Sequence, residues 1–272
     1  MSFGQGAIRH GVRAQDSAGA LPGPMGRGCG RGAPRALYRC VSAWLSPRGT
    51  LAAIAVGAAV AAGTGWRGLV LLAVFFVSSS LLTPGGGRRG PVQVAANGGI
   101  AASAALLSLG HAEWLLAFAG ALAAAAADTW STEIGGRSAA PPRLITTGAP
   151  VPPGTSGGVT LRGSLAGALG AGLIAVAAVL LGLAPAAAAP WIAAGGIAGG
   201  VADSLLGATL QARYRCAACG ALGERPVHWC GGTGILVRGM RWITNDTVNL
   251  LATAVGAAVA AAPVALRGVR LA

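Results

Sequence analysis

The 272-residue chain is 54% hydrophobic and only 10% charged, with a formal net charge of +13 and a mean hydropathy of +0.64. Ordinary soluble domains carry roughly 25% charged residues, so a water-soluble globule is excluded, and the apolar fraction excludes a disordered polyampholyte as well. All 20 basic residues are arginine and stand between apolar blocks, not along one face, which argues against a nucleic-acid partner and for membrane topology.

Residues 1–47 are rich in Gly, Pro and Arg without apolar periodicity, and are expected to form a disordered basic tail on the cytoplasmic side. No apolar core of the kind that marks a secretory signal stands near the start. A membrane bundle is expected over 48–268, built from apolar blocks at 51–65, 69–82, 92–109, 114–128, 161–183, 191–210 and 247–266. Spanning the hydrocarbon takes about 20 residues, with about 17 as the lower limit. The first two blocks are therefore short and read as two tight spans or as one re-entrant pair. Helix is preferred to strand because the blocks are long and Ala-rich and a spanning segment must satisfy its own backbone. The fold class is all-α, a polytopic transmembrane helix bundle of about seven spans, with small residues letting the helices approach closely. With the N-terminus inside, 17 of the 20 arginines fall on the cytoplasmic side. A count of six spans would bring Arg267 and Arg270 there too.

The chain has only seven acidic residues, and their positions are informative. Asp16 is in the tail, Glu113 in a short outer loop and Glu224 in a loop among cysteines. Asp128 ends the fourth block, Glu133 follows it, Asp203 lies within the sixth and Asp246 opens the seventh. The topology above places all four at one, cytoplasmic, side, where membrane-depth carboxylates mark function more often than helix packing. Between the fourth and fifth blocks runs Pro152-Pro153-Gly154-Thr155-Ser156-Gly157-Gly158-Val159-Thr160, immediately before a long helix. Its backbone amides suit phosphates, with Arg143 and Arg162 as flanking counter-charges. It is no Walker A, since it has no Lys and the spacing is different. Asn97, Asn245 and Asn249 add polar groups on the same side. Clustered carboxylates and amides facing such a loop are what Mg²⁺ with a nucleotide requires.

The cysteines at 216–230 form a second pattern. Cys216-x-x-Cys219 followed by His228-x-Cys230 supplies four ligands for a closed tetrahedral zinc site, within a cytoplasmic loop spanning 211–243. Free thiols and a redox pair are the competing readings. The expected role is structural: to pin the loop between the helix of Asp203 and the helix of Asp246.

The runs Ala127-Asp128-Thr129-Trp130-Ser131-Thr132-Glu133-Ile134-Gly135, 152–160, Asp203-Ser204-Leu205-Leu206-Gly207-Ala208-Thr209 and Asn245-Asp246-Thr247-Val248-Asn249 resemble the polytopic membrane family numbered 92 among domains of unknown function. The resemblance covers about residues 45–268. The plant branch of that family is phytyl-phosphate kinase, and the family is distantly similar to CTP-dependent lipid kinases. The cysteine set lies outside the plant-type pattern. The resemblance implies an integral (inner) membrane kinase moving a phosphoryl group from CTP or another nucleotide to an isoprenyl monophosphate. In that reading Asp128, Glu133, Asp203 and Asp246 hold Mg²⁺, while Arg137, Arg143 and the 154–158 loop hold phosphates. The alternative is a transporter or lipid flippase with intramembrane carboxylates.

Overall fold

The computed structural model describes residues 44–83 and 88–267, apart from the side chains of 264–267. The expected tail lies outside the described residues up to position 43. Six helices make the bundle: α1 Pro47–Leu82, α2 Pro91–Leu107, α3 Trp114–Gly135, α4 Leu161–Leu180, α5 Ala189–Thr209 and α6 Asn245–Arg267. Five helical segments among the described residues are long and apolar enough to cross a membrane, whereas α2, at 17 residues, is shorter.

α1 is not one rod. A straight helix would separate Pro47 from Phe76 by roughly 43 Å, yet the Trp44 ring meets the Phe76 ring edge-on at 5.8 Å. The chain doubles back at Gly65, whose φ of 66° is closed to residues with a Cβ of ordinary handedness. The two short blocks are thus the arms of a helical hairpin, and the backbone passes along the bundle seven times. α2 then runs beside the first arm, tied at one end by the Ser46 amide donating to Arg89 O (3.1 Å) and at the other by the Ser108 hydroxyl donating to Gly63 O (3.2 Å).

The helix starts follow from local chemistry. Ser46 accepts from the Gly49 amide ahead of Pro47, and Thr160 accepts from the Gly163 amide ahead of α4. Packing inverts the pattern of a soluble protein. On α4 the small residues Ala166, Gly170, Ala171 and Ala178 are buried, while Leu165, Leu169, Val176 and Leu180 point outward. That arrangement gives close backbone approach inside and an apolar surface for lipid outside. α3 is the central helix, with every residue from Leu116 to Ala127 buried.

Two small β elements interrupt the helices. Strands β1 (Arg143–Leu144) and β2 (Gly158–Val159) pair antiparallel and close the 143–159 excursion. Between α5 and α6, strands β3 (Arg213–Cys216), β4 (Leu222–Gly223) and β5 (Gly234–Arg238) form an antiparallel sheet in the order β4-β3-β5. The cysteine loop is therefore a compact β module on an otherwise helical chain.

Candidate functional site

One end of the bundle gathers both excursions, and a cavity of about 1060 Å³ opens beneath them. Its wall changes character along its length. Deeper among the helices it is apolar, with Val56 and Leu72 from the α1 hairpin, Phe75 and Phe76 beside them, and Ile197 and Val201 from α5. Towards the end of the bundle it is polar. Asp128, Thr132 and Glu133 come from α3, Asp203 and Ser204 from α5, and Asn97 from α2. The 153–160 loop, with Gly154, Thr155, Ser156, Gly157 and Gly158, forms the facing wall, and Asn245 and Asn249 complete it from α6.

Asp128 and Asp203 face each other from neighbouring helices. Asp203 has Asp128 and Glu224 as its charged neighbours, and with the Asn249 amide turned to suit its surroundings its nitrogen donates to Asp203 Oδ2 (3.1 Å) and to Asn245 O (3.2 Å). Among the described residues the only ion pairs are His111 with Glu113 and Arg137 with Glu133, the latter at a long 3.9 Å. Neither Asp128 nor Asp203 is matched to an arginine among the described residues. Like charges held together in a partly buried space without a cationic partner are costly unless a cation joins them. The donors present are hard oxygens, the kind Mg²⁺ takes.

The glycine loop is seated by backbone contacts. A Cβ at Gly157, where φ is 80°, would fall 2.5 Å from Ala208 Cβ and 2.6 Å from Ala208 N, so the loop lies flush on the end of α5. The Ile145 amide donates to Gly157 O (2.9 Å) and the Gly158 amide to Thr155 O (2.9 Å). Gln211, 2% exposed, lines the same cavity, and its Nε2 has no partner among the described residues.

Four expected residues are not in the wall; one of them, Arg162, donates to Arg137 O (3.2 Å). Asp246 sits in the first turn of α6, where a carboxylate is favoured by the helix dipole. Arg137 donates to Leu82 O (2.6 Å) and Arg143 to Gly148 O (2.9 Å), so both brace backbone instead of facing the cavity. The arginines that do line it are Arg88, Arg89 and Arg225. Burial lowers the pKa of the Arg89 guanidinium, with Glu133 opposing the shift. Arg89 lies 5.6 Å over the Phe76 ring and donates to the Ser80 hydroxyl (2.8 Å). Glu224 also lines the cavity, and the Ser156 hydroxyl donates to its carboxylate. The signal that singled out the other acids, their scarcity at one end of the chain's topology, applied equally to Glu224. Its place among cysteines masked it.

The Cys/His set converges. Ligand atoms of Cys216, Cys219, His228 and Cys230 all lie within 4.8 Å of one another. The sulfurs of Cys216 and Cys230 are 3.5 Å apart and those of Cys219 and Cys230 3.7 Å, too far for a disulfide. His228 Nδ1 is 3.1 Å from Cys230 Sγ and 3.4 Å from Cys219 Sγ. Tetrahedral zinc with Zn–S near 2.3 Å sets its sulfurs roughly 3.8 Å apart, and this set fits. Backbone amide donation, chiefly from Cys219, pulls the Cys216 thiol down to about 7, as suits a thiolate ligand.

The model of a family described as integral membrane protein DUF92 matches residues 35–257. The chain belongs to this family. It is 32% identical over 228 residues to Protein PGR of Arabidopsis thaliana, covering 69% of this chain and 78% of the plant protein. It is 35% identical over 204 residues to an uncharacterized membrane protein of Methanocaldococcus jannaschii, covering 71% and 74%. It is also 29% identical over 238 residues to Protein VTE6, chloroplastic, of Arabidopsis thaliana, covering 79% of this chain and 64% of that protein. No solved structure matches the chain. The four runs singled out in the sequence all reach the cavity: three contribute directly to its polar wall, and the fourth carries Asn245 and Asn249 into it.

Proposed function

We propose that the chain is an integral membrane kinase that transfers a phosphoryl group from CTP or another nucleotide to an isoprenyl monophosphate. The observation that carries this reading is the two-part cavity: carboxylates and a glycine loop at one end, and a continuous apolar arm at the other. A soluble phosphate substrate needs only the first part, and a membrane lipid with a phosphate head needs both. The family's plant branch, phytyl-phosphate kinase, supplies the substrate class.

The arm between the α1 hairpin and α5 takes the prenyl chain from the bilayer, past the half-open Ile54 and Val201. Its phosphate then stands among Arg88, Arg89 and the loop. Asp128 and Asp203 would hold Mg²⁺, with Asn249 orienting Asp203 and Glu133 in the same wall. Mg²⁺ held there would supply the positive charge that neutralises the nucleotide's terminal phosphates. An oxygen of the prenyl phosphate attacks the terminal phosphorus, the bond to the bridging oxygen breaks, and the electron pair leaves on the nucleoside diphosphate. The acceptor oxygen is already ionised at neutral pH, so positioning and charge carry the reaction and no protein nucleophile is used. Zinc at the Cys/His set is structural, because four protein ligands leave no open position. The arginine-rich end faces the cytoplasm.

Purified protein in lipid nanodiscs, given CTP, Mg²⁺ and a panel of prenyl monophosphates, tests the reading. Prenyl diphosphate detected by mass spectrometry, with matching nucleotide consumption, is the expected result. Absence of both with every acceptor, together with ion-coupled solute uptake in liposomes, makes the protein a transporter instead.

A further inference from the structure

Glu224 and Arg225 reach the cavity from the Cys/His module, and their position in the chain is unusual. They are suspended between the two ligand pairs: the Cys216–Cys219 turn leads through β4 into Glu224, and Arg225 is followed after two residues by His228 and Cys230. The module has little else to hold this segment. β4 is two residues long, and Tyr214 and Cys216 are the buried residues of its sheet. A segment with so small a core would take its order from a metal bound by the flanking ligand pairs. The base of the module is fastened separately to the end of α5: Arg238 Nη2 donates to Gly207 O (2.7 Å) and the Met240 amide to Leu210 O (3.0 Å). Its tip touches the glycine loop through Glu224 and Ser156.

We infer that the module is a clasp for the glycine loop. Metal at Cys216, Cys219, His228 and Cys230 fixes Glu224 so that it holds the Ser156 hydroxyl against α5, and turns Arg225 into the cavity as an anion-binding side chain. Glu224 is a positioning residue, acting through Ser156. The clasp stands on the contacts alone, whereas the assignment of Arg225 to a nucleotide phosphate rests on the kinase reading. A bond between an exposed carboxylate and a hydroxyl is weak if either partner must be ordered for it. Pinning both flanks of Glu224 removes that cost and couples metal occupancy to the shape of the phosphate site.

The test uses the full chain in nanodiscs, with zinc content measured by mass spectrometry and amide exchange followed in peptides covering 152–160. One zinc per chain is expected. Chelating it should raise exchange in 152–160 about tenfold, together with that of 213–238. Glu224→Ala should expose 152–160 by a similar factor with zinc still bound, and Glu224→Gln, which keeps an acceptor, should restore most of the protection. Arg225→Ala should weaken CTP–Mg²⁺ binding about tenfold while zinc content and loop protection stay at wild-type values. Protein without zinc, or a loop whose exchange ignores both chelation and Glu224→Ala, overturns the clasp. Unchanged CTP affinity in Arg225→Ala overturns that assignment. Wild-type protein that binds no CTP removes it together with the kinase reading, and the exchange data still decide the clasp.

Discussion

In the proposed kinase, Asp128 and Asp203 are the pair on which the chemistry would depend. Each lies within a long apolar helix, and no arginine stands within ion-pairing distance among the described residues. Changing either to Asn removes a cation ligand and also relieves the repulsion between them. Turnover with prenyl phosphate should fall on the order of 100-fold or more, while the melting temperature holds or rises. Wild-type turnover in both variants would move the cation elsewhere. Asp246→Asn is the control: it should leave turnover within about twofold and lower stability by roughly 0.3–1 kcal/mol, the usual worth of a carboxylate at a helix start. Gly157 is constrained by both conformation and space, since its φ is 80° and an added Cβ would meet Ala208. Gly157→Ala should destabilise by about 1–3 kcal/mol in thermal unfolding and reduce nucleotide affinity along with it.

The α1 hairpin shows how much an element can turn on one residue. Both arms are apolar throughout, so nothing in their composition says whether they form one long rod or two short ones. Gly65 decides by adopting a left-handed φ with open space around it. Gly65→Ala therefore meets no clash and should cost about 1–3 kcal/mol, the price of that conformation alone. If thermal unfolding shows no loss, the reversal is less strict than the dihedral implies. The hairpin matters because Phe75, Phe76 and Leu72 on its second arm form the apolar end of the cavity. Elsewhere the elements followed from local signals. Ser46-Pro47 and Thr160 start helices as their side-chain chemistry requires, and the α3 motif continues helically past Asp128 to Gly135, bringing Thr132 beside the carboxylate.

The whole molecule is polarised. The glycine loop, the Cys/His module and the cavity's polar wall occupy one end, while Gly65, Ser108 and the short turn at His111 occupy the other. Cysteines placed at Ala112 and Ala139 should report this directly with a membrane-impermeant maleimide. Ala112→Cys should label on intact cells, and Ala139→Cys only after permeabilisation. The same accessibility for both would break the seven-pass topology, and the reverse order would turn the site outward.

Membrane residence, helical class and the choice of one end for the acids could be read from the chain itself. Hydrocarbon imposes those features locally: a segment either is apolar and hydrogen-bonds its own backbone, or it does not cross. The ligand set of the Cys/His module was legible for a similar reason, because a tetrahedral metal site demands particular side chains at short spacings. Which arginines face the cavity was not. Arg137 and Arg143 stand nearest to the motifs in sequence, but their side chains are used by backbone carbonyls at Leu82 and Gly148, while Arg88, Arg89 and Arg225 reach the cavity from other elements. Long flexible side chains go where packing leaves them room, and that depends on the neighbouring helices. Glu224 enters and Asp246 stays out for the same reason: convergence across elements is a property of the assembled bundle, and no stretch of sequence contains it.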